Sequence, residues 1–204
     1  MLLVTLPHGR REASGNHDEG ALLMAPILSE ALDDYDIEHE FLIGNETYRA
    51  VIDLNRGEAR TTQYFEDFRE LLMKADVHID LHSFPSIDEY ATDEEAITAT
   101  GEDLREWSLS DVVLLKIEGI TDDKLLEKFM NVADSGLEVD VRDVGHYNML
   151  CVFAGLVMNR PTILVEVNEA ARRDYYGIAA AFAEQVADFL DDFENASSSA
   201  QHRN

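Results

Sequence analysis

Four apolar segments of this chain end in, or enclose, side chains able to do acid–base or metal chemistry. Met1–Leu6 runs into Pro7, His8 and Gly9, and Ile79–Leu81 runs into His82 and Ser83. Arg49–Leu54 runs into Asn55 and Arg56, while Thr162–Val167 carries Glu166 inside it. Two imidazoles, a pair of guanidiniums and a carboxylate at strand ends suit one site along the edge of a sheet. In open α/β sheets, ligands lie outside the carboxyl ends of the strands. The combination points to an enzyme.

A catalytic zinc takes three protein ligands and keeps one position open. No His-Glu-x-x-His helix is present, so ligands would converge from separate strand ends, as His8 and His82 can. Taken singly, each reads more readily as a hydrogen-bonded histidine at a loop edge. Asp80, two residues before His82, shares its strand face and suits the orientation of a metal-bound imidazole. His17 falls in a loop and His78 is expected to point away from Asp80, so both are set aside. Ser83 is read as a turn cap. Glu166 is costly in its apolar run unless paired, metal-bound or shifted in pKa, and a general base uses such a shift. A strand-end carboxylate reaching solvent is the plainer reading. Arg49 and Arg56 flank Asp53-Leu54-Asn55 in a chain poor in positive charge. Arginine grips carboxylates bidentately or stabilises an oxyanion, although a salt bridge to an acidic neighbour serves as well.

The elements that would position these residues alternate in type. Strands are expected at 1–6, 37–43, 49–54, 77–82, 112–117, 137–141 and 162–167, and amphipathic helices at 18–34, 63–74 and 122–133. Acidic Asp18 and Glu19 open the first helix, where its dipole favours them. Residues 146–158 read as a buried helix and 172–193 as a long terminal one, before an unstructured Ser-rich tail, 195–204. Residues 86–107 read as a polar excursion near the site. The alternation implies one α/β domain over 1–194, with a mixed, largely parallel sheet covered by helices on both faces.

Composition narrows the function classes. The chain has 204 residues, 46% of them hydrophobic, enough for one domain with a proper core. Asp and Glu number 42 against 16 Lys and Arg, a net charge of −26. Such self-repulsion is relieved by salt, which reads as adaptation to a salt-rich, halophilic cytoplasm. No nucleic-acid partner is expected, because the sequence shows no basic face to neutralise phosphates. Cys151 is the only cysteine, which leaves no disulfide framework and no thiolate zinc cluster. It reads as a buried structural thiol. A short apolar start without a charged leader, and no run near the ~20 residues of a membrane span, suggest a cytoplasmic protein without a membrane partner.

Pro7-His8-Gly9-Arg10 is similar to the Pro-His-Ser-Gly-Arg of the N-formylglutamate amidohydrolase family, without its serine. Arg49-x-x-x-Asp53-Leu54-Asn55-Arg56, Asp80-Leu81-His82-Ser83-Phe84-Pro85 and Val165-Glu166-Val167-Asn168 resemble that family's later motifs, in order. The chain resembles, more distantly, the zinc carboxypeptidases and the aspartoacylase/succinylglutamate desuccinylase group. The resemblance implies a three-layer α/β/α sandwich holding one Zn2+ per chain. It makes His8 and His82 metal ligands, with Glu19 as the third, ahead of Asp18 and Glu12. It makes Glu166 the general base, Arg49 the group polarising the scissile carbonyl, and Asn55 and Arg56 the binders of a substrate carboxylate. His146, after Gly145 where the family has a Gly-Gly-Tyr loop, would line the pocket. The implied reaction is hydrolysis of the amide of a small N-acyl amino acid or short peptide. A zinc carboxypeptidase and a non-catalytic metal- or ligand-binding protein of the same fold are the rivals. After Asn168 the chain departs from the family, with Glu169-Ala-Ala-Arg-Arg-Asp-Tyr175 in place of an aromatic, Met-Asp-Glu stretch. That departure bears on the substrate. A homo-oligomer is compatible with all of this.

Overall fold

Every residue of the first strand, β1 (Leu2–Leu6), is buried, as expected of a run that is apolar but for Thr5 and that neighbours cover on both faces. The structure is a computed structural model. It describes residues 1–9, 18–44, 52–84, 107, 109–144 and 148–201, with backbone only at 171–173, 194 and 196–201. The other strands are β2 (His39–Ile43), β3 (Val77–Phe84), β4 (Val112–Ile117), β5 (Val139–Val144) and β6 (Thr162–Asn168). The described helices are α1 (Glu19–Asp33), α2 (Gln63–Leu72), α3 (Asp123–Met130), α4 (Met149–Val152) and α5 (Tyr175–Gln201).

The strands form one six-stranded sheet in the order β2-β1-β3-β6-β4-β5. The first four are mutually parallel. β4 runs antiparallel to β6, and β5 runs parallel to β4. Strand periodicity sorts the side chains onto two faces. Leu2, Val4, Val77, Ile79, Leu81, Ile163, Val165 and Val167 meet α1, α3 and α5. Leu3 meets α2 and α4 through Phe68, Leu72 and Leu150, while Val113, Leu115 and Leu164 pack with Phe84, Trp107 and Cys151. The architecture is therefore a three-layer α/β/α sandwich with a mixed, mostly parallel sheet, as the alternation predicts. Among the described residues no helix is long and apolar enough to cross a membrane.

Four expectations about elements change. Ile52–Leu54 is not strand but the approach to a turn and a short 3-10 helix at Gly57–Thr61, while 49–51 lie outside the described residues. The apolar run at 146–158 is not a single buried helix. One α-turn, capped by Asn148 Oδ1 on the Cys151 N–H, passes into a π-turn at Phe153–Val157 that exposes Leu156 and Val157. β5 lies two residues later than periodicity suggests. α5 runs on to Gln201, because no glycine or proline after Gly177 interrupts it.

Candidate metal centre

The two predicted histidines meet at the carboxyl ends of adjacent parallel strands. β1 stops at Leu6 and a turn presents His8, while β3 continues through His82. The chain then returns, so that the Asp18 N–H donates to the His8 carbonyl at 3.2 Å, just ahead of α1. Asp18 Oδ2 consequently lies 2.7 Å from His82 Nδ1 and 3.3 Å from His8 Nδ1. The ligand atoms of His8, Asp18 and His82 all fall within 4.8 Å of one another, and all three residues are buried. Glu19, the expected third ligand, is not in this group. One residue earlier, at the N-cap, the carboxylate faces the strand ends, whereas Glu19 belongs to the first helical turn. Glu12 lies outside the described residues.

Each imidazole turns its other nitrogen to a second carboxylate. His8 Nε2 is 2.9 Å from Asp53 Oδ1, and His82 Nε2 is 3.0 Å from Asp80 Oδ2. Asn148 Nδ2 also donates to Asp80 Oδ2. Carboxylates behind the imidazoles fix the tautomer and ring plane of metal-ligating histidines. Burial opposes charge on both rings, yet Asp18 raises the pKa of His8, and Asp80 with Asp18 raises that of His82 well above 6.5. The same attraction overcomes burial at Asp18 and holds its carboxyl well below the usual range. Three carboxylates around two imidazoles demand positive charge, which two protons or one divalent cation supplies equally. The donor chemistry, two nitrogens and one oxygen, is that of a catalytic zinc site. Zinc–ligand distances of about 2.0–2.1 Å separate tetrahedral donors by about 3.3 Å, close to the spacing around Asp18. The residues present fit the metal.

Glu166 stands opposite His82 in the β3–β6 register, so the two side chains leave the same sheet face from neighbouring strands, about 4.8 Å apart at the backbone. It is half-buried. Asn55 is buried with its Nδ2 2.7 Å from His82 Nε2, and its N–H donates to Asp53 Oδ1. Arg56 forms an ion pair with Asp53 Oδ2 at 3.6 Å. Asn55 therefore touches one of the two histidines directly, and Arg56 reaches the other through Asp53. Arg49 and His146 lie outside the described residues, as do His17 and most of 86–107.

Several participants escape a reading by motif. Glu169, just after β6, accepts through Oε1 from the Gly20 N–H at 3.0 Å and the Ser83 hydroxyl at 2.9 Å. Ser83 thus ties β3 to β6 rather than capping a turn. His78 shares the face of Asp80 and does not point away from it, because residues two apart on a strand project the same way. The Thr5 hydroxyl touches both of them. The signal was present in the His-x-Asp-x-His spacing of 78, 80 and 82.

No protein-family model and no curated protein sequence matches the chain. Solved structures do. A gene product of Agrobacterium tumefaciens, Atu2144, aligns over 97% of this chain and 91% of its own, with TM-score 0.63 and 16% identity. The N-formylglutamate amidohydrolase of Ralstonia eutropha JMP134 aligns over 90% and 92%, with TM-score 0.58 and 15% identity. A metallo-carboxypeptidase from Burkholderia cenocepacia aligns over 94% of this chain and 57% of its own, with TM-score 0.53 and 14% identity. The likeness is one of fold, a zinc carboxypeptidase-like α/β sandwich, and it falls on two of the three groups that the sequence resembles.

Proposed function

We propose that the protein is a zinc-dependent hydrolase of C–N amide bonds, acting on a small N-acyl amino acid of the N-formylglutamate kind. The observation that carries this is the buried His8–Asp18–His82 group, each imidazole backed by its own carboxylate, with Glu166 one strand away on the same face. A structural zinc is closed by four protein ligands, whereas three with a carboxylate beside them describe a catalytic one.

His8, Asp18 and His82 would hold the metal, whose chemistry there is Lewis acidity toward a carbonyl oxygen and a lowered pKa for water. Glu166 takes the proton of the attacking water and passes it to the leaving nitrogen. Arg49 stabilises the negative charge that develops on the carbonyl oxygen. Asn55 and Arg56 grip the free carboxylate beside the scissile bond, with His146 lining the pocket, and Asp53 sets both the Arg56 side chain and the His8 ring. Short peptides with a free carboxylate stay in the substrate class, in keeping with the likeness to a metallo-carboxypeptidase. Both substrates place a carboxylate next to the same bond.

The test is metal content per chain by elemental mass spectrometry, in high salt, on the wild type and His82→Ala, followed by an amidase screen over N-acyl amino acids and dipeptides. About one zinc in the wild type and little in the variant, with turnover of a carboxylate-bearing amide, is expected. No metal in either protein after zinc is supplied would overturn the reading.

A further inference from the structure

Behind His82, a line of buried polar groups crosses the sheet through a layer otherwise made of apolar side chains. The Thr162 side-chain oxygen is 2.8 Å from His78 Nδ1, and His78 Nε2 is 2.9 Å from the Thr5 oxygen. The Thr5 hydroxyl reaches Asp80 Oδ1 at 2.5 Å, and Asp80 Oδ2 faces His82 Nε2 at 3.0 Å. Thr5, His78, Asp80 and Thr162 are all fully buried. The strand registers place them in one row, with Thr5 beside Asp80 and His78 beside Thr162. Buried polar groups in a sheet centre persist only when satisfied, and a fully satisfied network specifies one arrangement.

The hydrogens in this row can run in only one direction. A carboxylate has no hydrogen to give, so Thr5 must donate to Asp80. A hydroxyl has one hydrogen, so the Thr5 oxygen must accept from His78, which fixes His78 with its proton on Nε2. Burial holds His78 neutral, with its pKa lowered to about 4. Its Nδ1 therefore accepts from the Thr162 hydroxyl. With Oδ1 occupied by Thr5, Asp80 presents Oδ2 to His82.

We infer that His78 and Thr5 are positioning residues of the metal centre, setting Asp80 so that it holds His82 as the Nε2–H tautomer and leaves Nδ1 to bind the metal. Neither residue touches the metal or the substrate. The tautomer also governs Asn55, which must meet Nε2–H with its amide oxygen. A half-turn of the amide achieves this, bringing Oδ1, which otherwise has no partner among the described residues, to Nε2–H and carrying Nδ2 to the place Oδ1 held. Without the Thr5 hydroxyl, Oδ1 of a fully buried carboxylate loses its donor, and only Asn148 and His82, both on Oδ2, still orient Asp80.

The inference rests on the metal-centre reading, and the experiment separates the two. Zn2+ affinity is measured by chelator competition on the wild type, Thr5→Val, Thr5→Ser, His78→Leu and His78→Gln, with melting temperatures alongside. Thr5→Val should weaken zinc about tenfold or more, the lower end for an outer group behind a ligand. Thr5→Ser, which keeps the hydroxyl, should bind as the wild type does. His78→Leu should weaken binding and His78→Gln should restore it, because the glutamine amide can donate to Thr5. Variants that lose stability but bind zinc unchanged would overturn the positioning role alone. A wild type that binds no zinc would overturn the metal reading and this inference with it. If the apolar variants do not fold, long-range 1H–15N spectra of the zinc-loaded wild type decide. Protons on Nε2 of both His78 and His82 are expected, and an Nδ1–H on either contradicts the chain.

Discussion

Glu169 Oε1 accepts the Gly20 N–H at 3.0 Å, capping the first turn of α1 from another part of the chain. Asp18 occupies the N-cap and makes no capping hydrogen bond with its own side chain. An aspartate there would ordinarily take an N–H of the first turn. Because Glu169 meets that need, Asp18 can turn its carboxylate to the two histidines. Glycine is needed at position 20, since a Cβ would come within 2.5 Å of the Tyr175 hydroxyl and 2.9 Å of Glu169 Cγ. Glu169→Ala should cost about 1–2 kcal/mol, the usual worth of a cap. Gly20→Ala should cost about 1–3 kcal/mol by overpacking. Both should weaken zinc through displacement of Asp18, as read by thermal melts and metal titration. Full zinc affinity in Gly20→Ala would show that the start of α1 does not set the ligand.

Asp18 and Glu19 are adjacent in sequence, and only Asp18 lies against both imidazoles. Asp18→Ala should reduce zinc affinity by more than about 100-fold, beyond the range of an outer-shell loss. Glu19→Ala should leave it within a few-fold of the wild type. The reverse order, in metal titrations at matched salt, would restore Glu19 as the ligand.

The choice between these two carboxylates marks how far the sequence alone can go. The sheet, its flanking helices and the pairing of His8 with His82 were legible because each rests on local pattern: apolar runs ending in histidine and helices of period 3.6. The place of Asp18 beside them was not, because Glu169, about 150 positions away, caps the first turn of α1 in its stead. Asp53 could be read only as part of a motif, and its pairing with His8 Nε2 depends on a turn that periodicity had made a strand. His78 is a different case. Its alternation with Asp80 and His82 was available in the sequence and places it on their face.

Glu166 is separated from His82 by one strand spacing, which suits a group that handles protons. Glu166→Gln should retain about one zinc per chain while kcat falls by roughly 10²–10⁴-fold, the usual contribution of a general base. Parallel loss of metal and turnover would make Glu166 a ligand and remove it from the base role.

The net charge of −26 acts on the folded chain more than on the expanded one, because folding brings the charges together. Raising ionic strength from about 0.1 M to 1 M shortens the Debye length from about 10 Å to about 3 Å and screens most of that repulsion. The melting temperature should climb steeply over this range in KCl and change little in an equal osmolarity of sucrose. A melting temperature indifferent to salt would remove the argument for a salt-rich setting.

His78 gives the stability a pH dependence of known sign. Buried between Thr5 and Thr162, against Phe68 and with Asp80 as its charged neighbour, it has a folded pKa of about 4 against 6.5 in the open chain. Between these values the unfolded chain binds a proton that the folded one refuses, so stability falls as pH drops from 6.5 to 4. The group loses about 3 kcal/mol across that window and nothing further below it. The raised pKa values of His8 and His82 contribute stability fully present below pH 6.5 and lost above it, while the lowered ones of Asp18 and Asp80 act below their ordinary 3.8. Both pairs are present in the wild type and in His78→Gln alike, so their contributions cancel when the two proteins are compared. Denaturant melts of the metal-free wild type and His78→Gln across this range should therefore differ in slope by about one proton. Parallel curves would mean that His78 is protonated in the fold, and with Nδ1 protonated it could no longer accept from Thr162.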